Sequence, residues 1–545
     1  MLFSILQLAL SFLWSHQPTT SPCPQWDALH PQSYARLEAE LENAYASERF
    51  KLRTYEVLSG AIRILTESFD GSGPVGEDPV WNTFADFHEY LERVFPRVYA
   101  RLEVTKVNTY GLVYHWKGST DVKPILGILT SSADVVPVDP STVSQWKYPP
   151  YSGHYDGTWI WGRGACDDKE DLIQRLVTVD TLLEHGFSPA RTIVLAFGFD
   201  EETTGKEGAG HIAKYLEETY GRDGFALILD EGGQVGDFGN GLYVASPMMS
   251  EKGYMDVRVE VTSAGGHSSL PPEHTSIGLL AHAISTIEAN PHVPQLLRNG
   301  TPFTTVQCLA EYSPLFPDSL RPLARRAVTD DSALSKLTVA LANLSPSMKA
   351  MMTTTQAVDI IEGGVKVNAL PERASAIINH RIAEHSSVAE LQQHIIGVLS
   401  PVVALHDLTL KAFGRTISTG SSGEMVLSDA FDSALEPSPV TPAEYGPYSI
   451  LGGTVKATMM TSTLYNATEV IVVPSLLRVA LKCGVPDTMY YWNLTKHIFR
   501  FMLVTEADWY SDIHTINEAV RAESVIEGIR FLTKFILNVD ESFLP

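Results

Sequence analysis

Three clusters of acidic residues in this sequence stand where apolar runs end. Asp167 lies in GRGACDDKED, Asp200, Glu201 and Glu202 close RTIVLAFGFDEE, and Asp230 and Glu231 close FALILDEGG. A single carboxylate at a strand end is ordinarily a solvated side chain. Gathered at one edge, such groups are costly unless cations neutralise them, and clustered acids of this kind mark functional sites. Carboxylates with glycines in the adjoining loops point to a metal site. A further segment, SSADVVPV, follows the apolar run PILGILT and carries Asp134 in the place of a catalytic loop, with Ser132 two residues before it. His267 stands in the polar, glycine-bordered loop SAGGHSS, where a histidine has little structural work and chemistry is its usual role.

These residues need strands that end together. RTIVLAF and FALILD are continuous apolar runs, the pattern of parallel strands buried on both faces. DDKEDLIQRLVTVDTLLEHG places Leu172, Leu176, Val179 and Leu183 on one helical face, with Asp167 or Asp168 to cap its start and Gly186 its end. GAGHIAKYLEETYG is a second helix, closed by Gly221. Strand and helix alternate, so an α/β domain with a mainly parallel central sheet is expected, its ligand site outside the carboxyl ends of the strands. From Tyr254 the pattern changes, because YMDVRVEVTS alternates Asp256, Arg258 and Glu260 with Val257, Val259 and Val261 as a half-exposed strand does. The order βαββαβ that follows, ending in DLTLKAF, describes a ferredoxin-like α+β domain inserted into the first. Its helical stretch from about Pro291 to Thr355 has no assigned role. The expected divisions are 45–251 and 415–545 for the two parts of the first domain and 252–414 for the inserted one.

Acidic residues outnumber basic ones 64 to 40, a formal net charge of −24, and no Lys/Arg run tracks a phosphate backbone, so no nucleic acid is expected as a partner. The amino terminus, MLFSILQLALSFLWSHQ, has an apolar core of about a dozen residues, within signal-peptide range and short of the ~20 a spanning helix needs. Residues 1–20 are read as a secretory signal, or as an uncleaved membrane anchor. Tripeptides at Asn299, Asn343, Asn466 and Asn493 fit a glycoprotein of the secretory pathway. The four cysteines, Cys23, Cys166, Cys308 and Cys483, make neither a disulfide framework nor a zinc-finger spacing and read as buried thiols.

Taken in order, ADVVPV, WGRGACDDK, FGFDEETTGKEGAG, LDEGG, SAGGHSSLPP, VNALPERASAIINHRI and DIHTINE resemble the zinc-dependent exopeptidases and aminoacylases, and YYWNLTKHIFRF is most similar to their carboxypeptidase S branch. The resemblance spans almost the whole chain. It implies a zinc-exopeptidase catalytic domain, an inserted lid that doubles as a dimer surface, and two zinc ions bridged by Asp167. Glu202 and His514 would complete one ion's ligands; Asp230 and a histidine two positions before Asp134 would complete the other's. Asp134 would orient that histidine. Glu201 would be the general base, taking a proton from the attacking water and delivering it to the leaving amine. His267 would reach a neighbouring catalytic domain and stabilise the oxyanion, while Asn368 and Arg381 would hold the substrate's carboxylate, Arg381 through a bidentate fork.

The sequence departs from the family at its opening motif. Ser132 stands in the place of the zinc-ligand histidine, and a neutral hydroxyl is a poor zinc ligand beside imidazole or carboxylate. The Asp230 side is left with Asp167 and Asp230, whereas the other keeps Asp167, Glu202 and His514, the ligand count of a catalytic zinc. His154, in YSGHYDG, is an alternative imidazole. CGVPDTMYYW departs too, with Val485, Pro486 and Met489 where the family carries Asn, Thr and a basic residue. The expectation is a metallo-exopeptidase of the vacuole lumen or the extracellular space. It would use one or two Zn2+, act on a peptide or N-acyl amino acid with a free carboxylate, and pair as a homodimer through its lid. The alternative is an inactive relative that binds a carboxylate ligand. Survival of the acids favours the enzyme, since clustered carboxylates without metal destabilise a fold.

Overall fold

The computed structural model of the chain describes residues 23–129, 133–476 and 487–544. Ser132, the amino-terminal segment 1–20, Cys483, Val485 and Pro486 lie outside the described residues. The larger domain is built on a 10-stranded sheet. At its centre Ile193–Phe197, Ile125–Leu129, Ile228–Asp237 and Ile498–Thr505 lie side by side and parallel. Successive side chains of a strand point to opposite faces, and here both faces are covered. Leu195, Phe197, Leu227 and Leu229 enter one core with the helices Lys169–Glu184 and Ala522–Asp540, while Val194, Ala196 and Ile228 enter a second with Ala209–Tyr220. Continuous apolar runs are therefore required, and the α/β expectation holds. Asp168 occupies the N-cap position of Lys169–Glu184 but its side chain does not cap the helix.

The inserted domain carries a 6-stranded sheet. Gly253–Thr262 buries every second residue, Met255, Val257, Val259 and Val261, under the helices Ser276–Ala289 and Val388–Leu405. Its neighbours are Arg373–Ile382 and Glu424–Asp429, both antiparallel to it. The strand that closes the ferredoxin-like order is thus Glu424–Asp429. DLTLKAF, which the periodicity singles out, lies one strand further out, parallel to Glu424–Asp429 and in a hairpin with Arg415–Ser418. The inserted sheet accordingly runs past the expected boundary at Gly414, because the polar alternation of Glu424–Asp429 is too short to be told from a loop.

The stretch after Ser276–Ala289 folds as the helices Thr301–Tyr312, Arg321–Ala327, Asp331–Leu344 and Pro346–Met351 around a core of their own that includes Phe303, Val306, Ala324 and Leu337. It ties the inserted domain to the larger one. The Thr305 hydroxyl donates to the carbonyl of Pro474 (2.6 Å), and Cys308 forms a disulfide with Cys23, 285 residues away in sequence. Reading these two cysteines as buried thiols is corrected here: no local pattern announces a pairing between a chain end and a distant helix. Cys166 is a free, buried thiol.

Candidate metal centre

Asp167 and His514 are brought together by a strand pairing that closes far along the chain. Trp159–Trp161 pairs antiparallel with Ala519–Arg521, and just beyond it the amide of Gly162 donates to the carbonyl of Glu518 (2.9 Å). The Glu518 carboxylate then accepts from the amide of Cys166 (2.9 Å) and from the Arg163 guanidinium, so the Asp167 loop and the His514 loop are laced to one another. His514 itself has φ 59°, a left-handed backbone that a β-carbon ordinarily resists. Glu202 arrives from the loop after Ile193–Phe197, which Asp200 folds by accepting from the amides of Glu207 (2.7 Å) and Gly208 (2.8 Å). Asp200 is a loop anchor.

One glycine of that loop is structurally required. Gly205 has φ +64°, and a Cβ there would stand 1.8 Å from Oδ1 of the buried Asp487. Gly205→Ala is expected to lower stability by on the order of 2 kcal/mol, read as a shift of the denaturant midpoint. An unchanged midpoint would contradict this packing of the loop against Asp487.

The donor set meets at His514. Its Nε2 lies 2.9 Å from Asp167 Oδ2 and 3.1 Å from Glu202 Oε1, and the three ligand atoms lie within 4.8 Å of one another. Ligands at ~2.0–2.2 Å from a tetrahedral cation sit about 3.3 Å apart, so two carboxylates and one imidazole fit a divalent metal here and leave a coordination position open. The electrostatics agree. Burial, then Asp167, lifts Glu202 to about 7 against the opposing pull of His514. Burial works against the charged form of His514, but the hydrogen bonds and charges of Asp167 and Glu202 outweigh it and raise the imidazole to about 10. The protein holds protons where a cation would relieve the same repulsion.

Around this triad the acids take distinct places. Glu201 is buried and held well above the carboxylate range, by burial first and then by Glu231, Glu202, Asp487 and Asp167. Asp134, fully buried, accepts from the amides of Glu201 and Glu202 (3.2 Å each) and from the Ser68 hydroxyl (2.5 Å). It grips the backbone that presents both glutamates. Asp230 is buried on the next strand, 3.9 Å from Nε of Arg500, whose guanidinium is paired with Glu251. Asp168 and Glu231 face one another, and burial followed by repulsion from neighbouring acids lifts both.

The remaining expected residues lie in the inserted domain. His267 and Asn368 are exposed and adjacent: His267 is paired with Ala369 and its Nδ1 lies 2.8 Å from the Ser269 hydroxyl, while the carbonyl of Asn368 accepts from the amide of Ser268 (3.3 Å). Arg381 lies opposite Tyr254, its guanidinium over that ring at 5.5 Å, next to the bridge between Tyr254 and Leu435 where the chain leaves the domain. Among the described residues it has no ion-pair partner. The strand from Arg373 to Arg381 spans about 26 Å, so Arg381 and the His267–Asn368 ribbon occupy opposite ends of the domain. His154 stacks on Tyr148 with ring centroids 4.0 Å apart and is not in the donor group.

Arg500, Asp487, Ser68 and Glu518 also support this centre. Arg500 is a charge inside an apolar strand, IFRFMLVT, and that interruption is a legible signal. Its ion pair with Glu251, to which the Thr488 hydroxyl also donates (3.0 Å), joins the Asp230 strand to the entrance of the inserted domain. Asp487, buried beside the Gly205 loop, sits within CGVPDTMYYW. Ser68 and Glu518 had no such signal, because their partners are distant.

A sequence profile of peptidase family M20/M25/M40 matches residues 128–538. Carboxypeptidase S of Saccharomyces cerevisiae is 36% identical over 530 residues, covering 96% of this chain and 90% of that protein. The N-fatty-acyl-amino acid synthase/hydrolase PM20D1 of Xenopus tropicalis is 30% identical over 506 residues, covering 92% of this chain and 88% of that one. Among solved structures, human carnosine dipeptidase 1 aligns with a TM-score of 0.57 at 14% identity, over 94% of this chain and all of its own (100%). The M20 family metallo-carboxypeptidase Sso-CP2 of Sulfolobus solfataricus aligns with a TM-score of 0.55 at 18% identity, over 89% and 99%. At such identities the likeness is one of fold.

Proposed function

The chain belongs to peptidase family M20/M25/M40, on its carboxypeptidase S branch, and from that premise we propose that it is a zinc-dependent exopeptidase hydrolysing the amide bond of a peptide or N-acyl amino acid with a free carboxylate. The observation that carries this is the convergence of Asp167, Glu202 and His514 on one point, with Glu201 adjacent in the chain. What a bound divalent cation supplies there is Lewis acidity toward water and the amide carbonyl. Glu201 takes the proton of the attacking water and passes it to the leaving amine. Its raised pKa suits a group that must both accept and donate near neutrality. Asp134, through two backbone amides, is a positioning residue for base and ligand together.

Arg381, free of any ion pair among the described residues, suits a substrate carboxylate. If Asn368 and His267 act on the same substrate as Arg381, a second copy supplies them, because in one inserted domain they lie beyond the far end of the strand from Arg373 to Arg381, a run of about 26 Å. The exposed Leu270, Val365 and Val367 beside His267, two of them 100% exposed, suit burial in such a homodimer. The Cys23–Cys308 disulfide supports the secretory pathway, vacuole lumen or exterior, since cytosolic thiols are kept reduced.

Ser132 favours a second reading, a relative that keeps the carboxylate pocket and has lost turnover. Zinc content and hydrolysis of N-blocked dipeptides separate the two, measured for the wild type, Ser132→His and Arg381→Ala. The expected result is at least one zinc per chain with wild-type turnover, and a raised KM for Arg381→Ala. A wild type inert even with zinc supplied, rescued by Ser132→His, would establish the second reading.

A further inference from the structure

Outside the metal centre, three imidazoles meet on the helical face of the inserted domain. His282 lies on the exposed side of Ser276–Ala289, His406 caps the carboxyl end of Val388–Leu405, and His274 stands in the turn just before the first of these helices. His282 Nδ1 and His406 Nε2 are 3.0 Å apart, and the ring of His406 lies 4.7 Å from that of His274 and 5.2 Å from that of His282, centroid to centroid. The farthest two, His274 and His406, are separated by 132 positions in sequence; the packing of the two helices on one sheet brings them together.

We infer that His274, His282 and His406 form a surface site for a borderline divalent cation of the zinc or copper type, distinct from the Asp167 centre. Imidazole is the favoured neutral ligand of such cations, and two nitrogens on one zinc at ~2.0–2.1 Å stand about 3.3 Å apart, close to the separation found. The two nearer donors are held by rigid elements. His282 is within a helix, and His406 is fixed by its amide to the carbonyl of Val402 (3.2 Å) and by the next residue, Asp407, whose carboxylate accepts from the amide (3.2 Å) and hydroxyl (2.5 Å) of Ser421. As the side chains stand, the three donor atoms are not all within 4.8 Å of one another; His274 is exposed, and the site requires its side chain to rotate toward the other two, a fast motion at a surface. Partial burial, then the neighbouring imidazoles His274 and His282, lower the pKa of His406 against the opposing charge of Glu273. The shift favours the neutral imidazole, the form that binds a metal, and the charge of Glu273 acts on the same ring.

The alternative role is a plain hydrogen bond between two helices, and metal counting distinguishes the two. The full chain, His282→Ala and His406→Gln are dialysed against buffered micromolar Zn2+ and analysed for bound metal. The wild type is expected to hold one more ion per chain than either variant, with at least tenfold weaker uptake at this site in both. Cu2+ added to the zinc-loaded wild type is expected to give an electron-resonance spectrum with nitrogen ligation that both variants lose. Equal metal content in all three proteins, with no nitrogen-ligated copper, would overturn the site.

Discussion

Replacing Glu201 by glutamine is expected to lower kcat by about 10³-fold, about 4 kcal/mol of barrier, while metal content stays at the wild-type level. Glutamine keeps the shape and leaves in place the backbone amide that Asp134 holds at 3.2 Å, so Glu202 is still presented to the metal. What disappears is the group that accepts a proton. The same substitution removes a negative charge from a crowd that includes Glu231, Glu202, Asp487 and Asp167, so the metal-free variant is expected to be at least as stable as the wild type at pH 8. Steady-state kinetics, elemental analysis and thermal melts on one preparation check all three points. Wild-type turnover would remove Glu201 from the reaction, and loss of metal with activity would make it a ligand instead.

Stripping the metal is expected to make stability fall as pH rises from 5 to 8. Folded Glu202 has a pKa of about 7 against 4.5, and folded Asp200 one of about 6 against 3.8. For an acid whose pKa is raised by folding, the folded state binds the proton more tightly than the unfolded chain. Its contribution is complete below the unfolded pKa and is lost as pH climbs through the folded one. Glu202 alone accounts for on the order of 3 kcal/mol across that window. His514, raised to about 10 from 6.5, acts in the same direction at higher pH. A bound cation replaces these protons, so metal uptake at pH 6 is expected to release protons and to tighten as pH rises toward 7. Melts of chelated protein across pH and calorimetric titrations in two buffers of different ionisation enthalpy test this. A flat melting temperature without metal, or uptake with no proton release at pH 6, would mean that Asp167, Glu202 and His514 do not bind the ion.

Much of this architecture was legible because burial leaves a local record. RTIVLAF and FALILD are apolar throughout since helices cover both faces of their sheet, and YMDVRVEVTS alternates since only one face of its sheet is covered. The acids at the carboxyl ends followed from the same patterns, and the motif order announced the family. Where a local rule competes with a distant partner, the sequence is silent. Asp168 stands at a helix start yet faces Glu231, and Asp200 reads as a candidate ligand yet spends both oxygens on amides five or more residues ahead.

What the sequence by itself determined is therefore the class of each element and the stock of donors: parallel strands ending in carboxylates, a half-exposed inserted sheet, and a histidine late in the chain. Only the tertiary structure decided which donors meet. His514 reaches Glu202 across 312 residues through a strand pairing, Cys23 finds Cys308, and the length of one strand sets Arg381 apart from Asn368. The physical reason is that side-chain periodicity records which face of an element is buried, over a few residues at a time. Contacts between elements depend on how whole faces pack, and no short window of sequence contains that.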